Sequence, residues 1–311
     1  MIVLRPHGPV LPLSVGAPVL DAVALDAATG GLLLCVATPS AVEVFDLASR
    51  ARVRSFRAGA GQPTRLAATH LPAGLAWGDE SGGLHVWHQG SPEVFRWQRH
   101  RKAIHQLEPL RLGGGELLAT GADDRYVYLT DPWTGAVTAA CHPHIDWLEG
   151  MVTTVGPDGR GYALTVDHRR IATWTFDGAG TVVDSSAADL ERVSAWTAWW
   201  STRHAAPVFA ATTEDHRLLL SVGGGRPELL DLSVAPVAVA AAGGGRRLAV
   251  AGADGSIMEI RLRSGGAGPP TLATASGAEL LSLQTSPVHD GYLGLDTSGA
   301  VLSMRPEQTG D

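Results

Sequence analysis

The chain contains no asparagine, a single lysine (Lys102) against 23 arginines, and only two cysteines, Cys35 and Cys141. Each shortage removes a class of chemistry. Without asparagine there is no N-glycosylation acceptor. Schiff-base or lysine general-base catalysis could use only Lys102. The two cysteines fall in no CxxC or zinc-ligand spacing, which argues against a disulfide framework. No apolar run reaches the length of a membrane span, and Met1–Pro6 has no signal-peptide core, so a cytoplasmic protein is expected. Formal charge is −7 with no basic block, which argues against nucleic acid or an anionic membrane surface as the main partner. Charged residues are scarce at 18%, while apolar residues make up 45%, the balance of a folded globular chain. The near-absence of lysine and asparagine is associated with GC-rich, bacterial coding, which is not a physical argument.

What the chain does have is a repeat. A short apolar run, an acidic or small polar turn and an alternating apolar strand recur as LLLCVATPSAVEVFD from Leu32, GLAWGDESGGLHVWH from Gly74 and LLATGADDRYVYLTD from Leu117. The unit continues from Tyr162, Val208, Leu248 and Tyr292. Its second strand begins at Val42, Leu84, Val127, Ile171, Leu218, Ile257 and Val301, at spacings of 42, 43, 44, 47, 39 and 44 residues. Period-two alternation with Gly, Asp and Ser turns marks hairpins. A further apolar stretch between units, such as residues 103–110 or 280–286, raises the count to about four strands per unit. Four short strands at this period describe the blades of a β-propeller. No helical stripe of useful length is present, so the fold expected is all-β, a single seven-bladed domain over residues 1–311.

The units resemble those of the WD-repeat propellers over essentially the whole chain. Phe45-Asp46, Trp87-His88 and Trp174-Thr175 stand where that family's Trp-Asp pair closes the third strand; Thr130, Ser221, Ile260 and Met304 stand there in the other units. Asp124, Asp215 and Asp254 lie six residues earlier, as the family's turn aspartate does. The run HIDWLEGMVTTVGPDG from His144 is similar to a family repeat start. No literal Trp-Asp or Gly-His dipeptide occurs, and by spacing no blade carries the full His–Asp–Ser/Thr–Trp set. Blade three has His100, Asp124 and Thr120 but Thr130 for tryptophan. Blade four has His144, Thr165 and Trp174 but His168 for aspartate. The last unit runs out after three strands, so a strand from residues 1–16 is expected to complete it, leaving 306–311 as a tail. Pro9 and Pro12 are compatible with an edge strand.

In such a ring the turns between first and second, and third and fourth, strands lie on one face. Gly-rich runs collect there, including Gly113–Gly115, Gly178–Gly180 and Gly223–Gly225, as turn chemistry requires. The opposite face carries the second-to-third turns and the connections between blades. It gathers Arg99, His100, Arg101 and Lys102; Cys141, His142, His144, Ile145, Asp146 and Trp147; and Asp167, His168, Arg169, Glu214, Asp215, His216 and Arg217. Loops on a rigid frame are where function is usually placed.

Each group has a bland and a functional reading. His100 and His144 occupy positions where a propeller histidine bonds a turn aspartate. Alternatively, His142, His144, Asp146, His168 and His216 could ligate a divalent transition metal or act as acid–base groups. The arginines read as solvated rim charges or as an anion-recognition set, and Trp147 as an interface anchor. Trp196, Trp199 and Trp200 read as packing between blades or as an aromatic channel wall. No G-x-S-x-G, H-E-x-x-H, Walker or dinucleotide motif is present.

The resemblance therefore implies a monomeric interaction scaffold or regulatory subunit without a cofactor. Such a scaffold would bind a polypeptide or acidic ligand over blades three to five through Arg99, His100, Arg101, His142, Trp147, Arg169 and Arg217. The alternative is an enzyme, a metal-assisted lyase or hydrolase or a biosynthetic cyclase, working at the channel mouth. Its catalytic candidates are His144, Asp146, His168 and His216, and its metal candidates His142, His144 and His168.

Overall fold

The computed structural model describes residues 17–304 apart from positions 29, 60, 71–72, 114, 143, 190–191, 202–203, 224–227, 243–245, 264–265, 276–279, 286–291 and 297–300. The strand expected within residues 1–16 and the tail 306–311 lie outside the described residues. Every repeat of the sequence becomes one antiparallel sheet, and no helix occurs among the described residues.

Blade one is β1 (Asp21–Asp26), β2 (Leu32–Thr38), β3 (Ala41–Asp46) and β4 (Arg52–Arg57). Blade two is β5 (Pro63–His70), β6 (Ala73–Asp79), β7 (Gly83–His88) and β8 (Phe95–Gln98). Blade three is β9 (Ile104–Leu112), β10 (Gly115–Ala122), β11 (Val127–Thr130) and β12 (Val137–Cys141). Blade four is β13 (Gly150–Val155), β14 (Gly161–Val166), β15 (Arg170–Phe176) and β16 (Val182–Asp189). Blade five is β17 (Val193–Ser201), β18 (Ala206–Thr213), β19 (Arg217–Val222) and β20 (Glu228–Asp231). The sixth sheet is β21 (Pro236–Ala242), β22 (Arg247–Gly252) and β23 (Ser256–Arg263), its outer edge split between β24 (Gly266–Ala267) and β25 (Thr271–Ala275). The last sheet has three strands, β26 (Leu280–Thr285), β27 (Tyr292–Asp296) and β28 (Val301–Met304).

Strands follow one another in meander order, and the first strand of each sheet packs against the first strand of the next. Because alternate side chains leave opposite faces of a strand, each sheet presents an apolar set to both neighbours. Six apolar clusters result, each shared by two consecutive sheets. Cys35, Val42 and Val44 of blade one meet Leu66, Leu75 and Trp77 of blade two. Leu110, Leu129 and Cys141 of blade three meet Met151, Trp174 and Phe176 of blade four. The core is thus spread between blades, which leaves both ends of every sheet free to carry turns. This is a β-propeller.

The three tryptophans of β17 belong to this packing on both sides. Trp196 and Trp200 face blade four, where a Cβ at Gly150 would lie 1.9 Å from the Trp196 ring and where Tyr162 meets Trp200 at 5.6 Å. Trp199 faces blade six with Val208 and Leu220.

Candidate functional site

On the face of the second-to-third turns, blade four contains a complete hydrogen-bonded relay. His144 enters from the β12–β13 connection. Its Nδ1 lies 3.1 Å from Asp167 Oδ2 and its Nε2 lies 2.8 Å from Thr165 Oγ1. The Trp174 indole N–H donates to the same Oγ1 at 2.9 Å. The expectation that no blade holds the full set is therefore corrected, and Asp167, not His168, is the aspartate. Blade three leaves five residues between paired Gly121 and Val127, whereas blade four leaves four between Val166 and Ile171. The aspartate also stands at a different turn position: Asp124 is third in its turn and six residues before Thr130, whereas Asp167 is first in its turn and seven before Trp174, so counting six back from Trp174 lands on the wrong residue.

Asp167 is fully buried. Burial alone would raise its pKa, but amide N–H donors from Arg169, Ile145 and Asp146 and the facing His144 outweigh it and hold the carboxylate below its ordinary range. His144 is held below 6.5 by burial, against the opposing pull of Asp167. A neutral ring fits only one arrangement: Nδ1–H donates to Asp167, Nε2 accepts the Thr165 hydroxyl, and Thr165 accepts from Trp174. Both ring nitrogens of His144 are thereby committed.

Blade three repeats three quarters of this. His100 bonds Asp124 Oδ1 and Thr120 Oγ1, each at 2.9 Å, and is likewise buried and held below 6.5 by burial. Where blade four has its indole, blade three has Thr130, whose buried hydroxyl has no partner. The turn of blade two presses on this loop. Gly82 accepts the Arg99 and His100 amides at φ +85°, where a Cβ would lie 2.3 Å from the His100 carbonyl oxygen. Blade two itself uses His85 of β7, bonded to Asp79 at 2.7 Å and stacked on Trp77. Burial opposes ionisation of Asp79, yet bonds from His85, Ser81 and Gly83 bring its pKa down to about 2.

The two aspartates, Asp167 buried and Asp124 half-buried, also hold the loops that surround them. Asp124 accepts the amides of Arg101 (2.9 Å) and Tyr126 (3.2 Å). Asp167 accepts those of Ile145 (3.1 Å), Asp146 (3.4 Å), Arg169 (2.8 Å) and Arg170 (2.6 Å). The side chains so positioned point outward. Trp147 is 56% exposed, Ile145 52% and Tyr126 37%. The His142 ring meets Tyr126 at 4.4 Å, joining the two loops. Arg101, Arg125 and Arg169 are exposed around them, and none of the described ion pairs involves these three.

Other candidates are placed elsewhere. The Arg99 guanidinium reaches the Gly135 carbonyl in the β11–β12 turn, at the opposite end of the blade. Arg217 is tied to Asp215, with Nε 2.5 Å from Oδ2. His216 is exposed at the tip of its turn with φ +62°. His168 bonds Glu149, and Asp146 accepts the Trp147 amide at 2.9 Å. His142, His144 and His168 thus serve three different partners, and among the described residues no group of three or more metal-ligating side chains gathers. Cys35 and Cys141 are buried free thiols, pushed by burial up to about 12 and about 11, so they are poor nucleophiles. Tyr126 is the exposed apolar residue that sequence reasoning missed, and Ile145 was placed on this face without a role. The signal for both was an apolar side chain inside an otherwise polar loop.

No helix among the described residues is long and apolar enough to cross a membrane. No protein-family model matches the chain. No curated protein matches it in sequence. Solved structures do match in shape. The Dos1 propeller is similar with a TM-score of 0.73 at 13% identity, over 92% of this chain and 76% of that one. A chain of the mitotic checkpoint complex is similar with a TM-score of 0.62 at 12% identity, over 98% of both chains. With the relay of His144, Asp167, Thr165 and Trp174, these likenesses make the fold that of a divergent WD-like β-propeller.

Proposed function

We propose that this protein is a non-catalytic interaction scaffold that docks an acidic polypeptide on the loop face of blades three and four. The observation that carries this reading is the exposed set of Tyr126, Ile145 and Trp147, on loops whose amides are held by the half-buried Asp124, the buried Asp167 and Asp146. Exposed tryptophan on a rigid frame suits a binding hot spot, because little conformational entropy remains to be lost on association. Arg101, Arg125 and Arg169 supply donors for carboxylates around that apolar centre. The likeness to a chain of the mitotic checkpoint complex supports a place in a protein assembly.

The test is affinity capture followed by reconstitution with the purified partner. Trp147→Ala and Arg169→Ala should each lose the partner, and binding by the wild type should weaken as salt rises. Glu93→Gln, in the exposed β7–β8 turn on the opposite face, should bind normally. A partner retained by both loop-face variants would overturn the proposal.

A further inference from the structure

The outer strands of the blades are open edges, and one of them differs from the rest. β16 has eight residues, whereas β4 has six, β12 and β25 five each, and β8 and β20 four each. Its sequence, VVDSSAAD, contains no lysine, arginine or proline, residues that usually blunt an edge, and its one irregularity is a register shift at Val183 near its start; β4, by contrast, carries three arginines. Six of its eight residues are exposed, on both faces of the strand; only Val182 and Ala188 pack against the clusters shared with the neighbouring blades. Within its sheet it pairs only with β15. Arg170 bonds Asp189 at 2.8 Å, and the Ser185 N–H is taken by the adjacent Asp184 carboxylate at 2.8 Å, a local substitute for an inter-strand bond.

We propose that β16 is a self-pairing edge through which two copies of the chain join about a two-fold axis, extending blade four into its counterpart. A strand offers outward N–H and C=O groups from alternate residues, so two identical antiparallel edges must pair residues of the same parity. One such register centres on Ser185. Along the regular part of the strand, beyond the register shift at Val183, it sets Ser185 against itself and Asp184 against Ser186. Polar residues there meet polar ones, and no two carboxylates face each other. Centring on Ser186 instead opposes Val183 to Asp189 and Asp184 to Ala188. Centring on Asp184 opposes two carboxylates. The occupant this edge fits is therefore a second copy of the same chain, on a surface separate from the loop face.

Sedimentation over a wide range of protein concentration tests the pairing, and cross-linking tests the register. The wild type should form dimers. Ser185→Lys, which sets two ammonium groups against each other at an exposed position, should remain monomeric with an unchanged melting temperature. Oxidised Ser185→Cys should form a disulfide-linked dimer, because paired strands hold opposed Cα atoms at about 4.5–5.5 Å, within disulfide reach. The native cysteines are buried and give no background. Ser186→Cys should not cross-link. A wild type that stays monomeric at the highest concentration reached would overturn the proposal. So would a dimer that survives Ser185→Lys, or cross-linking as strong at position 186.

Discussion

Blades three and four share one plan and differ where Thr130 stands in place of Trp174. In blade four the relay closes, because the indole donates to the threonine that the histidine also uses. In blade three the same threonine lacks that donor, and the substituted Thr130 hydroxyl is buried without a partner. A second contrast lies on the inner strands. Leu107 pairs with Thr120 as Met151 pairs with Thr165, so Glu108 of blade three corresponds to Val152 of blade four. Two blades of one propeller thus hold their loops by aspartates with the same partners, one buried and one half-buried, at different internal cost. Fold position dictates the relay, and local sequence decides how completely it is satisfied.

The largest effect should come from removing the aspartates. Asp167→Ala leaves His144 and four backbone amides without their acceptor in a fully buried site, and should cost about 3–5 kcal/mol of unfolding free energy. Asp124→Ala should cost less, because that carboxylate is partly exposed and accepts fewer bonds. Urea titrations of both variants would break the comparison if the order were reversed.

Glu108 gives the next effect. Burial raises its pKa from 4.5 to about 7, with Arg65 lowering it and Asp21 raising it by charge. A carboxyl whose folded pKa is raised contributes stability below its unfolded value and loses it as pH rises through the folded one. Glu108→Gln should therefore match the wild type near pH 4 and exceed it at pH 8, by up to about 3 kcal/mol. His100 and His144, held below 6.5, impose the opposite slope, since they gain protons on unfolding as pH falls below that value. A stability profile of the Gln variant that still declines between pH 5 and 8 would assign the slope elsewhere.

Smaller changes sharpen the contrast at its distinguishing position. Trp174→Phe removes one donor from the closed relay and should lower stability by about 1–2 kcal/mol. Thr130→Val removes the orphaned hydroxyl at constant shape and should raise stability by about 1 kcal/mol. Thermal unfolding of the two variants should shift in opposite directions.

Much of this was readable from the chain. The recurrence from Val42 to Val301 marks the third strand of every sheet, because alternation and turn residues are local properties. His100 and His144 are recognisable by spacing for the same reason. Asp167 was not, since it takes the first position of its turn where Asp124 takes the third of its own, a choice that spacing does not encode. The reach of Arg99 to Gly135 depends on how neighbouring blades pack, which no spacing encodes. Asp21, Arg65 and Glu108 come from the first strands of three blades, and their electrostatic coupling appears only once those strands lie side by side.

The central claim is a division of labour: inner aromatic and acidic groups hold the face, and exposed apolar and basic ones use it. The most direct test measures melting temperature and partner affinity together in Trp174→Phe and Trp147→Ala. The account predicts that Trp174→Phe melts earlier yet binds as the wild type does, whereas Trp147→Ala melts normally and loses the partner. A Trp147→Ala protein that binds with unchanged affinity would contradict it.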